Sequence, residues 1–381
     1  MSESVRPPSS NGPAPTDERD FTAGGILSLA EKPRGTTGDR DLDEQLKRMA
    51  SLWVSEPRKR DLVAGLLMTS LKIGRDDATL GDLKLLHRAL REMRYANKVF
   101  HPWRNVRKVS VFGSARTHPD DPVYQAAEEF GRRMAQEGYM VITGAGEGIM
   151  GAAQHGAGRE KGFGLNIRLP FEQHANEEIV GDEKLMTFNY FFTRKLSFVK
   201  EADAFAMFPG GFGTMDELFE SITLIQTGKA NILPVVLVDI PGGNYWKTFV
   251  SFIEQQLLGR GLISPLDLTL FRVVDSVDAA VHELMSFYRV FHSYRHVGEK
   301  TVFRLKRKLT GNAVERLNED FADLLKSSGP LTQGAALPEE SNEEGIFHLP
   351  RLVGVLKRGD YGRWRQLIDA INEAQLVPMK L

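Results

Sequence analysis

Three glycine-rich turns, one arginine–lysine pair and two carboxylates are the places where this sequence could do chemistry. The richest is Pro209-Gly210-Gly211-Phe212-Gly213-Thr214-Met215-Asp216-Glu217, which follows an apolar run ending at Phe208. Three glycines and a threonine strip this turn of bulk, and a helix then opens with two acids in its first turn. Glycine lets backbone amides approach an anion closely, and the free N–H groups and dipole of a helix start favour negative charge. Acids at a helix start are also ordinary partners of the dipole. That bland reading suffices for Asp216, but it leaves the bareness of the preceding turn unexplained.

A second turn, Thr143-Gly144-Ala145-Gly146-Glu147-Gly148-Ile149-Met150-Gly151, also joins a strand to a helix. Gly146, Gly148 and Gly151 satisfy the dinucleotide spacing G-x-G-x-x-G, with Glu172 about 20 residues on, where a ribose-binding acid is sought. Against a nicotinamide reading, this turn follows the second strand of its unit, and Pro170 and Phe171 separate Glu172 from its strand. The third turn, Phe112-Gly113-Ser114-Ala115-Arg116, offers a small backbone turn, a hydroxyl and a guanidinium. Arg194 and Lys195 follow the aromatic run Tyr190-Phe191-Phe192. Two cations near a helix start oppose its dipole, so they face either an anion or solvent.

Other chemistries are excluded by residue type. There are no cysteines, hence no thiolate nucleophile, disulfide or cysteine-held metal. None of the nine histidines lies in an H-E-x-x-H pattern, so no metal site is expected, and no serine sits in a G-x-S-x-G elbow. Carboxylates and arginines remain.

The elements that must position these groups follow from the pattern of apolar residues. The chain has 381 residues, 41% of them hydrophobic and 26% charged, with a formal net charge of −1. That balance argues against a nucleic-acid or membrane partner. The early prolines and the lack of any run of ~18 apolar residues argue for a soluble, cytoplasmic protein. Residues 1–40, rich in Pro, Gly and Ser, read as a flexible tail. Residues 41–100 read as a helical cap, with Leu83, Leu85, Leu86, Leu90 and Met93 on one amphipathic helix, a packing surface without chemistry. Over residues 101–294 the runs Val109 to Phe112, Met140 to Thr143, Phe163 to Leu169, Ala204 to Phe208 and Leu233 to Val238 alternate with helical stretches. This predicts an α/β fold, a Rossmann-like parallel sheet with helices on both faces, whose ligand lies at the carboxyl ends of the strands. Residues 295–381 read as a small α+β appendage, with strands at Thr301 to Leu305 and Arg351 to Lys357.

The pair Arg194-Lys195 followed by P-G-G-x-G-T-x-x-E at 209–217 resembles the paired signature of the LOG family. These are cytokinin riboside 5′-monophosphate phosphoribohydrolases and bacterial nucleotide 5′-monophosphate nucleosidases, often labelled lysine decarboxylases in error. The resemblance covers roughly Arg107 to Tyr288 and takes in Phe112-Gly113-Ser114 and Gly148-Ile149-Met150-Gly151. It implies a Rossmann-like hydrolase that cleaves the N-glycosidic bond of a nucleoside 5′-monophosphate, with neither redox cofactor nor required metal. Arg194 and Glu217 match the catalytic pair. Gly113, Ser114, Gly210, Gly211, Gly213 and Thr214 match the phosphate turns, and Gly144, Gly146, Gly148, Met150 and Lys195 are carried as further substrate contacts. The short plant-type members have methionine where this chain has Phe191, and the extensions at both ends resemble the long bacterial type. The family's site lies at a dimer interface, so a homodimer or larger homo-oligomer is expected. Apolar stripes at Phe249, Phe252, Ile253 and Leu257, and at Leu218, Ile222 and Ile225, are candidates for that interface or for the core. Two other readings stay open: a non-catalytic carrier or sensor, since proteins resembling this fold carry the molybdenum cofactor, and a nicotinamide-dependent oxidoreductase.

Overall fold

A computed structural model describes residues 36–170, 174–326, 329–340 and 344–378. The expected tail up to position 35 and Glu172 lie outside the described residues. Helices α1 (Arg40–Ser51), α2 (Pro57–Arg75) and α3 (Leu80–Phe100) come first. Each starts where an acid or threonine accepts from its free amides: Asp39 for α1, Glu56 for α2 and the Thr79–Asp82 capping box for α3. Helices α1 and α2 share a small apolar core of Leu46, Ala50, Ala64 and Met68.

The chain then alternates β1 (Lys108–Phe112), α4 (Pro122–Gln136), β2 (Met140–Thr143), α5 (Ile149–Ala157), β3 (Gly162–Ile167), β4 (Leu185–Phe188), α6 (Phe191–Glu201), β5 (Ala204–Met207), α7 (Phe212–Gln226), β6 (Val235–Val238), α8 (Tyr245–Phe252), β7 (Arg272–Val274) and α9 (Val277–Phe287). Among the described residues the seven strands form one parallel sheet in the order β4-β3-β2-β1-β5-β6-β7. The fold expected from the sequence is therefore the observed one. Its strands are apolar on both faces because helices cover both. Val109, Val111, Val141, Ala204, Ala206, Val236 and Val238 point to one layer. Phe112, Ile142, Phe163, Phe205, Met207 and Leu237 point to the other. Strands β4 and β7 escaped the sequence reading because they are short edges, only partly buried.

Strand order reverses between β1 and β5. The chain builds outward from β1 to β4, then returns to the far side of β1 and builds outward again. Loops leaving β1 and β5 therefore diverge and open a crevice at their carboxyl ends.

A second, antiparallel sheet contains β8 (Phe291–Val297), β9 (Lys300–Leu305), β10 (Thr332–Gly334) and β11 (Arg351–Gly354), with helices α10 (Gly311–Asp320) and α11 (Tyr361–Glu373). Strand β8 crosses position 294. Trp364, Leu367, Ile368 and Ile371 of α11 are fully buried in an apolar cluster that continues to Ile225 and Leu237 of the α/β region. Arg304 and Arg351 hold buried Glu340 between them at 3.1 and 3.0 Å. Among the described residues no helix is long and apolar enough to cross a membrane.

Candidate active site

The three glycine turns meet in the crevice. The Ser114 amide donates to the Pro209 carbonyl at 3.1 Å, and the Ile149 amide donates to the Ser114 carbonyl at 3.0 Å, so the turns after β1, β2 and β5 are tied in sequence. Closeness explains several glycines. A Cβ on Gly113 would lie 2.5 Å from the Ile149 side chain, one on Gly148 would lie 2.3 Å from the Ser114 carbonyl oxygen, and one on Gly210 would lie 2.2 Å from Thr214 Oγ1. Gly148 is also held at φ +62°. Gly148 thus seats one turn on another, a packing reason for glycine at that position. Gly211 and Gly213 differ, because a Cβ on either would meet nothing within 4 Å. Their bareness leaves backbone open to whatever enters the crevice.

Both α5 and α7 begin at this point without a side-chain cap, behind Gly148 and Gly211. Helix α7 starts earlier than the sequence suggested. Phe212, Gly213 and Thr214 form its first turn, and its first intrahelical bond runs from the Met215 amide to the Gly211 carbonyl. Asp216 and Glu217 consequently lie in the second turn, and neither caps the helix. Gly144, Gly146 and Met150 sit in the turn after β2. There the Gly146 carbonyl accepts from Asn176 Nδ2 at 2.9 Å, and buried Ala145 is held at φ +60°, a strained setting for a residue with a Cβ. The Ser114 hydroxyl accepts from the Arg116 amide.

Arg194 reaches across from α6. Its Nη1 lies 3.8 Å from the position a Gly144 Cβ would occupy, and the Phe191 and Phe198 rings flank its guanidinium at 5.2 and 5.7 Å. Its Nε is buried and donates to nothing among the described residues. Buried donors are nearly always satisfied, so an empty one beside a crevice points to a ligand acceptor. Burial depresses the Arg194 pKa, and the nearby charges of Glu217 and Asp216 oppose that shift.

Lys195 turns elsewhere. Its Nζ lies 2.6 Å from both Asp216 and Glu220, so it tethers α6 to α7. Of the two alternatives left open for the basic pair, an anion or solvent, Lys195 takes neither a ligand nor open solvent: two carboxylates of its own chain already hold it.

Glu217 is 4% exposed, and its carboxylate makes no hydrogen bond or ion pair among the described residues. Burial raises its pKa to about 7, against the pull of Lys195 and Arg194, with Glu220 and Asp216 adding repulsion. A buried acid poised near neutrality beside an arginine is an arrangement suited to catalysis.

Three residues that position the site were missed from sequence. Tyr245 donates to the Gly210 carbonyl, Asn176 organises the turn after β2, and Glu92 of α3 binds the start of α6. Nothing local marks them, because each acts across a gap of 30 or more residues. The apolar stripes divide between core and surface, with Phe252 52% exposed. Phe249, Ile253, Leu218 and Ile225 are buried core. Exposed apolar residues gather instead on α1 to α3 and around the crevice, where Phe191 and Phe192 are half exposed and Phe212 is 96% exposed. A separate cavity of about 90 Å³, lined by Arg107, Asn231, Tyr288 and Arg304 among others, opens at the opposite, amino-terminal edge of the sheet.

Residues 147–284, from the turn after β2 through α9, match the protein family described as "Possible lysine decarboxylase". The cytokinin riboside 5′-monophosphate phosphoribohydrolase LOG7 of Arabidopsis thaliana is 29% identical over 164 residues, covering 42% of this chain and 72% of that protein. The α/β region resembles the LOG proteins. Another, LOG of Oryza sativa subsp. japonica, is 32% identical over 153 residues, covering 39% of this chain and 60% of that one. The molybdenum cofactor carrier protein of Chlamydomonas reinhardtii is 19% identical over 46% of this chain and 94% of its own, with a TM-score of 0.33. The family match contains Arg194 and Glu217 and leaves out α1 to α3, β1 to β2 and the second sheet.

Proposed function

We propose that this chain hydrolyses the N-glycosidic bond of a nucleoside 5′-monophosphate, AMP-like or a cytokinin riboside 5′-monophosphate, releasing free base and ribose 5-phosphate. One observation carries the reading: the buried Arg194 Nε, without an acceptor among the described residues, and the buried Glu217 share a crevice lined by bare, uncapped helix starts. Amides of the α7 first turn suit the phosphate. Binding energy from that remote group can be applied to orientation at the reacting carbon. As the C1′–N bond breaks, positive charge grows on the ribose, and the ionised Glu217 stabilises it while orienting a water. Water supplies hydroxyl to C1′ and a proton to the departing base. Similarity to the LOG proteins supports the same bond as the target.

The test is incubation with a panel of nucleoside 5′-monophosphates and chromatography of free base. Release from at least one is expected; release from none would pass the argument to a nucleotide carrier. A cytoplasmic location is part of the proposal, as that is where such substrates accumulate.

The working unit is proposed to be a homodimer or larger. Leu52 and Trp53, 80% and 89% exposed, and the aromatic residues around the crevice form apolar surface of the kind that marks an interface. Sedimentation at micromolar concentration is expected to show at least a dimer, and a monomer there would remove the oligomer from the proposal.

A further inference from the structure

We infer that Glu92, on a helix outside the family-matched residues, is a positioning residue for Arg194. Helix α6 has no side-chain cap of its own, because Tyr190 stands at its N-cap position and makes no capping bond. Glu92 acts there from α3. One carboxylate oxygen accepts from the Asn189 amide at 2.9 Å and from Asn189 Nδ2 at 2.8 Å, while the other accepts from Thr193 Oγ1 at 2.6 Å. These bonds bracket residues 189–193 and end one residue before Arg194. A carboxylate at this end of α6 is also favoured by the helix dipole.

Glu92 can hold the start of α6 because α3 is itself anchored. Ala96 and Phe100 are buried, and the Phe100 ring stacks on Phe163 of β3 with centroids 4.5 Å apart. Arg194 needs such support. Its Nε makes no bond among the described residues, so the direction of its guanidinium depends on the placement of α6 and on the two flanking rings. Glu92 makes its bonds to Asn189 and Thr193 and none to Arg194, so its effect is argued through the position of the helix.

The rate part of this inference rests on the nucleosidase reading; the positional part does not. In Glu92→Ala, kcat/KM for a nucleotide substrate is expected to fall about 10- to 100-fold, the scale of an ångström-sized misplacement. Glu92→Gln should recover most of it. Its amide oxygen can take both Asn189 donors, and the Thr193 hydroxyl can keep its proton on the Tyr190 carbonyl, to which it already donates at 2.9 Å. In an Arg194→Ala background, Glu92→Ala should cost nothing further. Additive losses, equal loss in the glutamine variant, or wild-type turnover in Glu92→Ala would each overturn the inference.

A ligand-free measurement separates it from the functional reading. In protein labelled with nitrogen-15 arginine, the Arg194 Nε–H resonance is expected to shift or broaden in Glu92→Ala and to return in Glu92→Gln. An unmoved resonance overturns the positioning role whether or not any nucleotide is cleaved. If Glu92→Ala does not fold, Asn189→Ala with Thr193→Val removes both side-chain contacts to Glu92 and leaves the backbone amide of position 189, and the same resonance decides.

Discussion

In Glu217→Gln, base release is expected to fall about 100-fold or more, the scale for removing one charge-stabilising group from a transition state, while the protein grows more stable above neutral pH. The rate falls because glutamine keeps the size of the side chain and loses the charge that meets the developing cation on the ribose. Since that interaction is made mainly in the transition state, KM should move little. The stability gain has the opposite origin. Burial raises the Glu217 pKa to about 7, so ionising it inside the fold is costly. A carboxyl whose folded pKa lies above its unfolded value contributes stability that is fully present below about pH 4.5 and is lost as pH rises through about 7. The loss at pH 8 amounts to roughly 3 kcal/mol for a shift of this size, and Glu217→Gln does not suffer it. Thermal melts of the two proteins should therefore coincide near pH 4.5 and separate by pH 8, with the variant higher. In the wild type, kcat/KM should rise with pH as Glu217 ionises, reaching a plateau above about 7; the variant should lack that limb. Wild-type turnover in Glu217→Gln would sink the mechanism. Equal melting temperatures at pH 8 would show that the acid is not buried as described.

Arg194→Ala should weaken hydrolysis of a 5′-monophosphate by about 100- to 1,000-fold, the scale for a charge-assisted donor lost from a water-poor site. Its guanidinium stays charged across the working pH range despite burial. The matching nucleoside distinguishes two roles. If Arg194 holds the phosphate, the nucleoside is a poor substrate for the wild type and no poorer for the variant. If it assists the departing base, the variant loses equally on nucleotide and nucleoside. Kinetics of AMP and adenosine on both proteins, with folding checked by melts, separate these outcomes, and unchanged AMP hydrolysis would remove Arg194 from the site. Lys195→Ala offers a contrast: that lysine is held by Asp216 and Glu220, so its loss should loosen α6 from α7 rather than strip the ligand of a partner.

The parallel sheet, and the turns where it presents its ligand-facing backbone, could be read from residues alone. Periodicity and glycine are local signals: a run such as Val109 to Phe112 must be buried on both sides, and Gly210-Gly211 must bend next to a helix. Arg194 and Glu217 stood out through the resemblance of the paired motif to the LOG signature. The reading of α3 as a packing surface without chemistry meets two findings it did not anticipate: Leu83, Leu85, Leu86 and Leu90 are exposed in the chain, and Glu92 binds partners about a hundred positions away. Likewise the sequence assigned Arg194 and Lys195 one fate, and packing divided them, because successive residues on a helix point about 100° apart and meet different neighbours. Only tertiary structure could decide which carboxylate would be buried and unpartnered, which cation would already be paired, and which glycines serve packing rather than ligand. Those properties depend on what lies within a few ångströms after the chain has folded, and residue type and spacing along the chain do not carry that information.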